Sequence, residues 1–124
     1  MYYTPFIVIY MTEKFRKWSC YLCGDIVIEG QRFGYLPDKG FIHIECLYES
    51  ISKHFNGRIP SEVIALIDFD EVAAYGIIRV KQVEKVLPED LRKPVESGRH
   101  KLEGLSALAG KLLEDVLKKY DVNL

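Results

Sequence analysis

This sequence of 124 residues has few cysteines, no large excess of charge of either sign and no long apolar run. The formal net charge is −1, so bulk electrostatics give no argument for binding nucleic acid or an anionic membrane. No apolar run approaches the roughly 20 residues that a membrane-spanning helix needs, so we predict no membrane segment. Because 48% of the residues are hydrophobic, the chain is expected to bury a core.

The sequence signatures of common enzymes are also missing. It contains neither G-x-x-x-x-G-K-S/T nor G-x-G-x-x-G, so it offers no phosphate-binding loop. Its serines and histidines form no nucleophile elbow. His54 and His100 are predicted to be solvated. We therefore expect no catalytic residues and no organic cofactor, and we predict that the protein is not an enzyme.

The three cysteines are an odd number and cannot all pair as disulfides. They lie in Cys20-x2-Cys23 and His43-x2-Cys46, with nineteen residues between Cys23 and His43. Three thiolates and one imidazole are the donors of a closed tetrahedral zinc site. We predict one Zn²⁺ per chain on Cys20, Cys23, His43 and Cys46, and hence reduced thiols in the cytoplasm. The ligand types alone do not distinguish zinc from iron, although a rubredoxin-like iron site prefers four thiolates.

A redox function for Cys20-x-x-Cys23 is an alternative, since Trp18 stands nearby as in thioredoxin-like motifs. Such a motif opens a helix within a βαβ unit. Here Gly24 and Asp25 follow, and then a β-branched run. The closed metal site is therefore the preferred interpretation.

Residues 18–57 are predicted to form one small zinc finger. Strands are expected at 26–28, 32–36 and 41–43, with a turn at 29–31 between the first two and a turn at 37–40 between the last two. From Ile44 the apolar residues recur every three or four positions, which predicts a helix. The pair Asn56-Gly57 is typical of a helix C-terminus, so the helix is expected to end there. Knuckle, hairpin and helix in this order predict a treble-clef finger, and the fold class is α+β.

Three motifs in this region carry a family resemblance: W-x-C-x2-C, G-x-R-F and K-G-x-x-H-x2-C. Together they resemble the first half of a LIM domain. They are more closely similar to a family of small uncharacterised archaeal proteins described as LIM-like. The resemblance implies the zinc ligands Cys20, Cys23, His43 and Cys46. A full LIM domain continues with a second ligand set, but here Glu49 occupies its first place and no cysteine follows.

The flanking regions are predicted to differ from the finger. Residues 1–17 form an N-terminal extension, in which 6–10 is either an edge strand or precedes a natural start at Met11. The rest, 58–124, is predicted to be a helical hairpin. Its first part is expected to break near 68–70 and at Gly76, and its last helix is expected to begin near Pro94.

The apolar stripe of the last helix is wider than one neighbouring helix covers. The stripe consists of Leu102, Leu105, Ala109, Leu112 and Val116, and its flanking residues are Leu108, Leu113 and Leu117. We therefore predict a homodimer through the C-terminal helices, and a function as a non-enzymatic zinc scaffold for a protein partner. The alternative is a nucleic-acid-binding finger in transcription or RNA handling. Its candidate contacts are Lys14, Arg16, Lys17, Trp18, Arg32, Lys39, Lys53 and Arg58.

Overall fold

The computed structural model describes residues 17–28 and 30–124. Four short strands come first: β1 (Lys17–Ser19), β2 (Ile26–Ile28), β3 (Phe33–Leu36) and β4 (Gly40–His43). Three helices follow: α1 (Ile44–His54), α2 (Ser61–Glu84) and α3 (Glu89–Lys119). The predicted α+β class is confirmed. The interpretations of residues 1–16 lie outside the described residues.

The strands pair only partly as predicted: the turn at 37–40 joins β3 and β4, but β2 pairs elsewhere. β1 is antiparallel to β2, with Trp18 opposite Val27, and β3 is antiparallel to β4, with Phe33 opposite His43. The expected hairpin of 26–28 with 32–36 is therefore wrong, because these strands belong to two separate sheets. The turn of residues 20–25 folds β1 back onto β2, so β2 already has a partner before the chain reaches β3.

Helix α1 begins directly at the end of β4 and ends where the sequence predicted. Asn56 and Gly57 both have positive φ, at 53° and 83°, and the Gly57 N–H donates to the Ser52 carbonyl. Glycine and asparagine adopt this conformation at low cost, which is why the pair ends a helix.

Helix α2 is continuous, so the breaks expected near 68–70 and at Gly76 are wrong. Asp70 does not cap a helix; its buried carboxylate accepts the Tyr35 N–H at 3.2 Å. At Gly76 a Cβ would meet Leu102 at 3.7 Å, an ordinary contact, so nothing there requires a kink.

Helix α3 begins at Glu89, five residues before the predicted start, and Pro94 lies inside it. Pro88 precedes the first turn, and its carbonyl accepts the Leu91 and Arg92 N–H groups. The helix therefore starts after Pro88 and continues through Pro94, which lacks the N–H that would otherwise donate to the Asp90 carbonyl.

The finger and the helices share one hydrophobic core. Its fully buried members include Val27, Leu36, Ile42 and Leu47 from the finger and Ile67 and Leu113 from the helices. Arg99 contacts Glu84, and Leu102 lies near Gly76, so α2 and α3 form an antiparallel hairpin. Among the described helices, none is both long and apolar enough to cross a membrane.

Candidate metal site

The four predicted ligands come together at one end of the finger. Cys20 and Cys23 lie in the turn between β1 and β2, His43 is the last residue of β4, and Cys46 lies in the first turn of α1. Their ligand atoms all lie within 4.8 Å of one another. The residues from both ends of this region therefore converge as the spacing predicted.

Backbone N–H groups point at two of the sulfur atoms. The Asp25 N–H donates to Cys23 Sγ at 3.4 Å, and the His43 N–H donates to Cys20 Sγ at 3.4 Å. Gly24 has a φ of 79°, which lets the turn close with its N–H on the Cys20 carbonyl. Such hydrogen bonds stabilise thiolates, so the turn favours the ionised form that binds a metal.

A hydrogen bond from Nε2 fixes the orientation of the His43 ring. Nε2 lies 3.1 Å from the Ile26 carbonyl oxygen, which can only accept, so Nε2 carries the proton and donates. The lone pair of Nδ1 then faces the sulfur atoms, 3.4 Å from Cys23 Sγ and 3.8 Å from Cys46 Sγ. Nδ1 is therefore the ring nitrogen that could bind a metal ion.

These spacings fit zinc. Bonds of about 2.3 Å to sulfur and about 2.0 Å to nitrogen place the two donor atoms of a tetrahedral site about 3.5 Å apart. The two distances from Nδ1 lie close to that value. The donor set and its spacing are therefore compatible with one tetrahedral Zn²⁺.

The thiols of the cluster ionise unequally without a cation. Burial raises the pKa of Cys20, but backbone hydrogen bonds, including those from Cys23 and His43, outweigh it and lower that pKa to about 6. Burial and the neighbouring sulfur atoms raise the pKa of Cys46 to about 12. Three thiolates at this distance repel one another, so full ionisation requires a bound cation.

The sequence analysis did not predict that Asp70 is buried between the finger and the helices. The side chain is fully buried where β3 meets the helices, and its Oδ2 has no hydrogen-bond partner among residues 17–28 and 30–124. Burial raises its pKa to about 7; the Tyr35 N–H opposes the shift and the Glu114 charge adds to it. The sequence did contain a signal for this burial. Asp70 lies at helical spacing from Val63, Ile67, Ala74 and Ile78, so it belongs to the apolar face of the helix.

The other candidate residues lie apart from the cluster. The exposed His54 ring interacts with the Tyr120 carbonyl oxygen at 3.0 Å. Arg32 pairs with Glu71 and Lys53 with Glu49, which reduces the positive charge available to phosphate groups. Trp18 stacks on Phe41 with the ring centroids 4.2 Å apart, so its ring is part of the packing. Lys14, Arg16 and the Lys17 side chain lie outside the described residues.

Fold and site together define a small α+β protein with a Cys3His cluster that can hold a metal ion. Residues 16–115 match the family described as "Uncharacterized protein conserved in archaea (DUF2175)". The match spans most of the chain, and the chain belongs to this family. Searches of curated proteins and of solved structures found no match.

Proposed function

We propose that this protein is a non-enzymatic zinc scaffold. One Zn²⁺ folds a LIM-like finger of the treble-clef type, and the helical hairpin presents a surface for protein association. The observation that carries the proposal is the convergence of four protein ligands within 4.8 Å. Structural zinc sites use four protein ligands, whereas catalytic sites usually use three and leave a position open.

The order of elements supports the treble-clef assignment. The first two ligands come from the turn of the β1–β2 hairpin, and the other two from the junction of β4 with α1. The metal would therefore join the β1–β2 turn to the start of α1. Structural zinc in comparable peptides contributes about 10–16 kcal/mol of apparent binding free energy. The reduced thiols that such a site needs favour a cytoplasmic location.

Metal analysis with X-ray absorption tests the zinc site. We expect one zinc per chain, with three sulfur ligands at about 2.3 Å and one nitrogen ligand at about 2.0 Å. Cys46→Ser should lose zinc under mild chelation and should lose NMR dispersion in residues 18–57. His54→Ala is the matched control, because His54 is exposed and outside the cluster, and it should retain the metal. A bound water in place of a protein ligand, or a finger that stays folded after complete chelation, would refute the structural role.

The proposed association surface lies on the helices. Leu105, Leu108 and Leu112 recur at helical spacing on α3, and their exposed fractions are 44%, 47% and 38%. On α2, Val72 and Tyr75 are also exposed. The buried residues of α3, such as Gly110, Leu113 and Leu117, lie on another face. A contiguous leucine stripe turned away from the core favours association, and the partner we propose is a second copy of the chain.

A further inference from the structure

A second feature, independent of the metal cluster, is a cleft of about 410 Å³ between the finger and the helical hairpin. Its finger side is aromatic and is formed by Trp18, Phe33, Tyr35 and Phe41. Its helix side is mainly aliphatic, with Ala74, Ile77 and Ala107, and it also carries Ser106 and Glu103. The volume falls within the range of about 300–1,000 Å³ that small-molecule pockets occupy.

The aromatic side is held in place by its own packing. Trp18 stacks on Phe41 at 4.2 Å between the ring centroids, and Phe33 meets Phe41 edge-on at 5.8 Å. Tyr35 packs on Phe41 at 5.1 Å. Rings fixed by one another lose little further freedom when a ligand binds, so the cleft is largely preformed.

Lys81 gives this apolar cleft a charged end. It lines the aromatic cleft and also a neighbouring open cleft, whose other lining residues are Glu84, Lys85, Arg92 and Arg99. Arg99 is neutralised by Glu84 at 2.6 Å and by Glu103 at 2.9 Å. Within 17–28 and 30–124, neither Lys81 nor Lys85 has a carboxylate within ion-pair distance.

Arg92 adds to this positive charge. Its guanidinium donates to the backbone carbonyls of Glu84 and Leu87, at 3.1 Å and 2.9 Å, and these groups carry no formal charge. The apolar cleft therefore opens toward an excess of cations.

From this juxtaposition we infer that the cleft binds a small amphipathic anion. The apolar body, acyl or aryl, packs between the aromatic and aliphatic sides, and its carboxylate pairs with Lys81. Charge complementarity selects an anion, because an ammonium group in the same place would face Lys81, whereas the Glu103 carboxylate is already paired with Arg99. The cleft shares no lining residue with the Cys3His cluster, so this inference does not depend on the proposed zinc function.

NMR titration of the zinc-loaded full chain tests the inference, because Trp18 is the one tryptophan and gives a single indole N–H signal. The probes are decanoate, indole-3-acetate and decyltrimethylammonium. We expect the carboxylates to shift the Trp18 signal saturably, with one ligand per chain, and the ammonium to leave it unchanged. The stronger of the two carboxylates identifies whether the body is acyl or aryl.

Three variants locate the site. Lys81→Met should weaken carboxylate binding about tenfold, since it removes a charge-assisted hydrogen bond. Ala107→Phe, at an exposed position of the cleft, should block binding by filling the space. Lys101→Met, an exposed lysine outside both clefts, should bind like the parent. Equal binding of decanoate and the ammonium, or parental affinity in Lys81→Met, would overturn the inference even if Ala107→Phe failed to fold.

Discussion

Replacing Gly110 with alanine tests how closely helix α3 approaches the turn between β3 and β4. A Cβ at this position would lie 2.6 Å from the Tyr35 carbonyl oxygen and 2.7 Å from Pro37 Cδ. One of these atoms is backbone and the other belongs to a rigid ring, so no side-chain rotation can make room. The helix or the turn has to move.

The expected cost follows from two opposing effects. Extra atoms in a well-packed region typically cost about 1–3 kcal/mol. Alanine also gains about 1 kcal/mol over glycine inside a helix. Because the clash involves backbone, the larger cost applies, and Gly110→Ala should lower the free energy of unfolding by about 2 kcal/mol. For a chain of this size, we expect the midpoint of thermal unfolding to fall by about 5–10 °C.

Gly104→Ala is the matched control on the same helix. In the part of the chain that the structure describes, no atom outside the neighbouring helix backbone lies within 4 Å of the Cβ position there. Nothing therefore offsets the helix preference of alanine over glycine, and the variant should be more stable by up to about 1 kcal/mol. Both variants are unfolded thermally and in urea with excess zinc and are followed by circular dichroism. If Gly110→Ala is stabilised as much as Gly104→Ala, the close approach of helix and turn does not exist.

Two further predictions concern Asp70 and the leucine stripe. The pKa of Asp70 is raised to about 7, chiefly by burial, so the folded chain holds this proton more tightly than the unfolded chain. The contribution of Asp70 is therefore most favourable at low pH, and it is lost as pH rises towards 7. The free energy of unfolding of Asp70→Asn should rise relative to that of the parent between about pH 5 and pH 7. Subtracting the parent's value at each pH removes the titration of the zinc ligands, which both chains share. If the two free energies change with pH in parallel, the prediction is wrong. Leu108→Glu should convert a dimer to a monomer in analytical ultracentrifugation, whereas Leu91→Glu, exposed but outside the stripe, should not. A monomeric parent at tens of micromolar, roughly the usual working range, would remove the dimer.

The sequence predicted those features that depend on single residues or on residues close together in the chain. Asn56 and Gly57 end α1 because their positive φ is a property of those residue types. The convergence of the three cysteines and His43 was predictable because thiolates and imidazole have few other reasons to occur at this spacing. The α+β class followed from the change of apolar period at Ile44.

The predictions of breaks in α2 and of a start of α3 near Pro94 were wrong, each for its own reason. Asp70 has the chemistry of a helix cap, but its carboxylate meets a strand N–H from the finger. Pro94 favours the first turn of a helix, but Pro88 precedes the first turn of α3, and its carbonyl accepts the Leu91 and Arg92 N–H groups. For Asp70, a contact distant in sequence decides the outcome; for α3, another proline nearby in sequence marks the start.

By itself, the sequence determined which atoms can bind a metal and where the chain changes from strands to helices. The tertiary structure decided how the strands pair, which of the helical glycines meets a neighbouring backbone, and where apolar and positively charged residues form one cleft. The reason is that ligand chemistry and backbone preference belong to single residues and short spacings. Packing, burial and the pKa of Asp70 arise only when segments far apart in sequence come together.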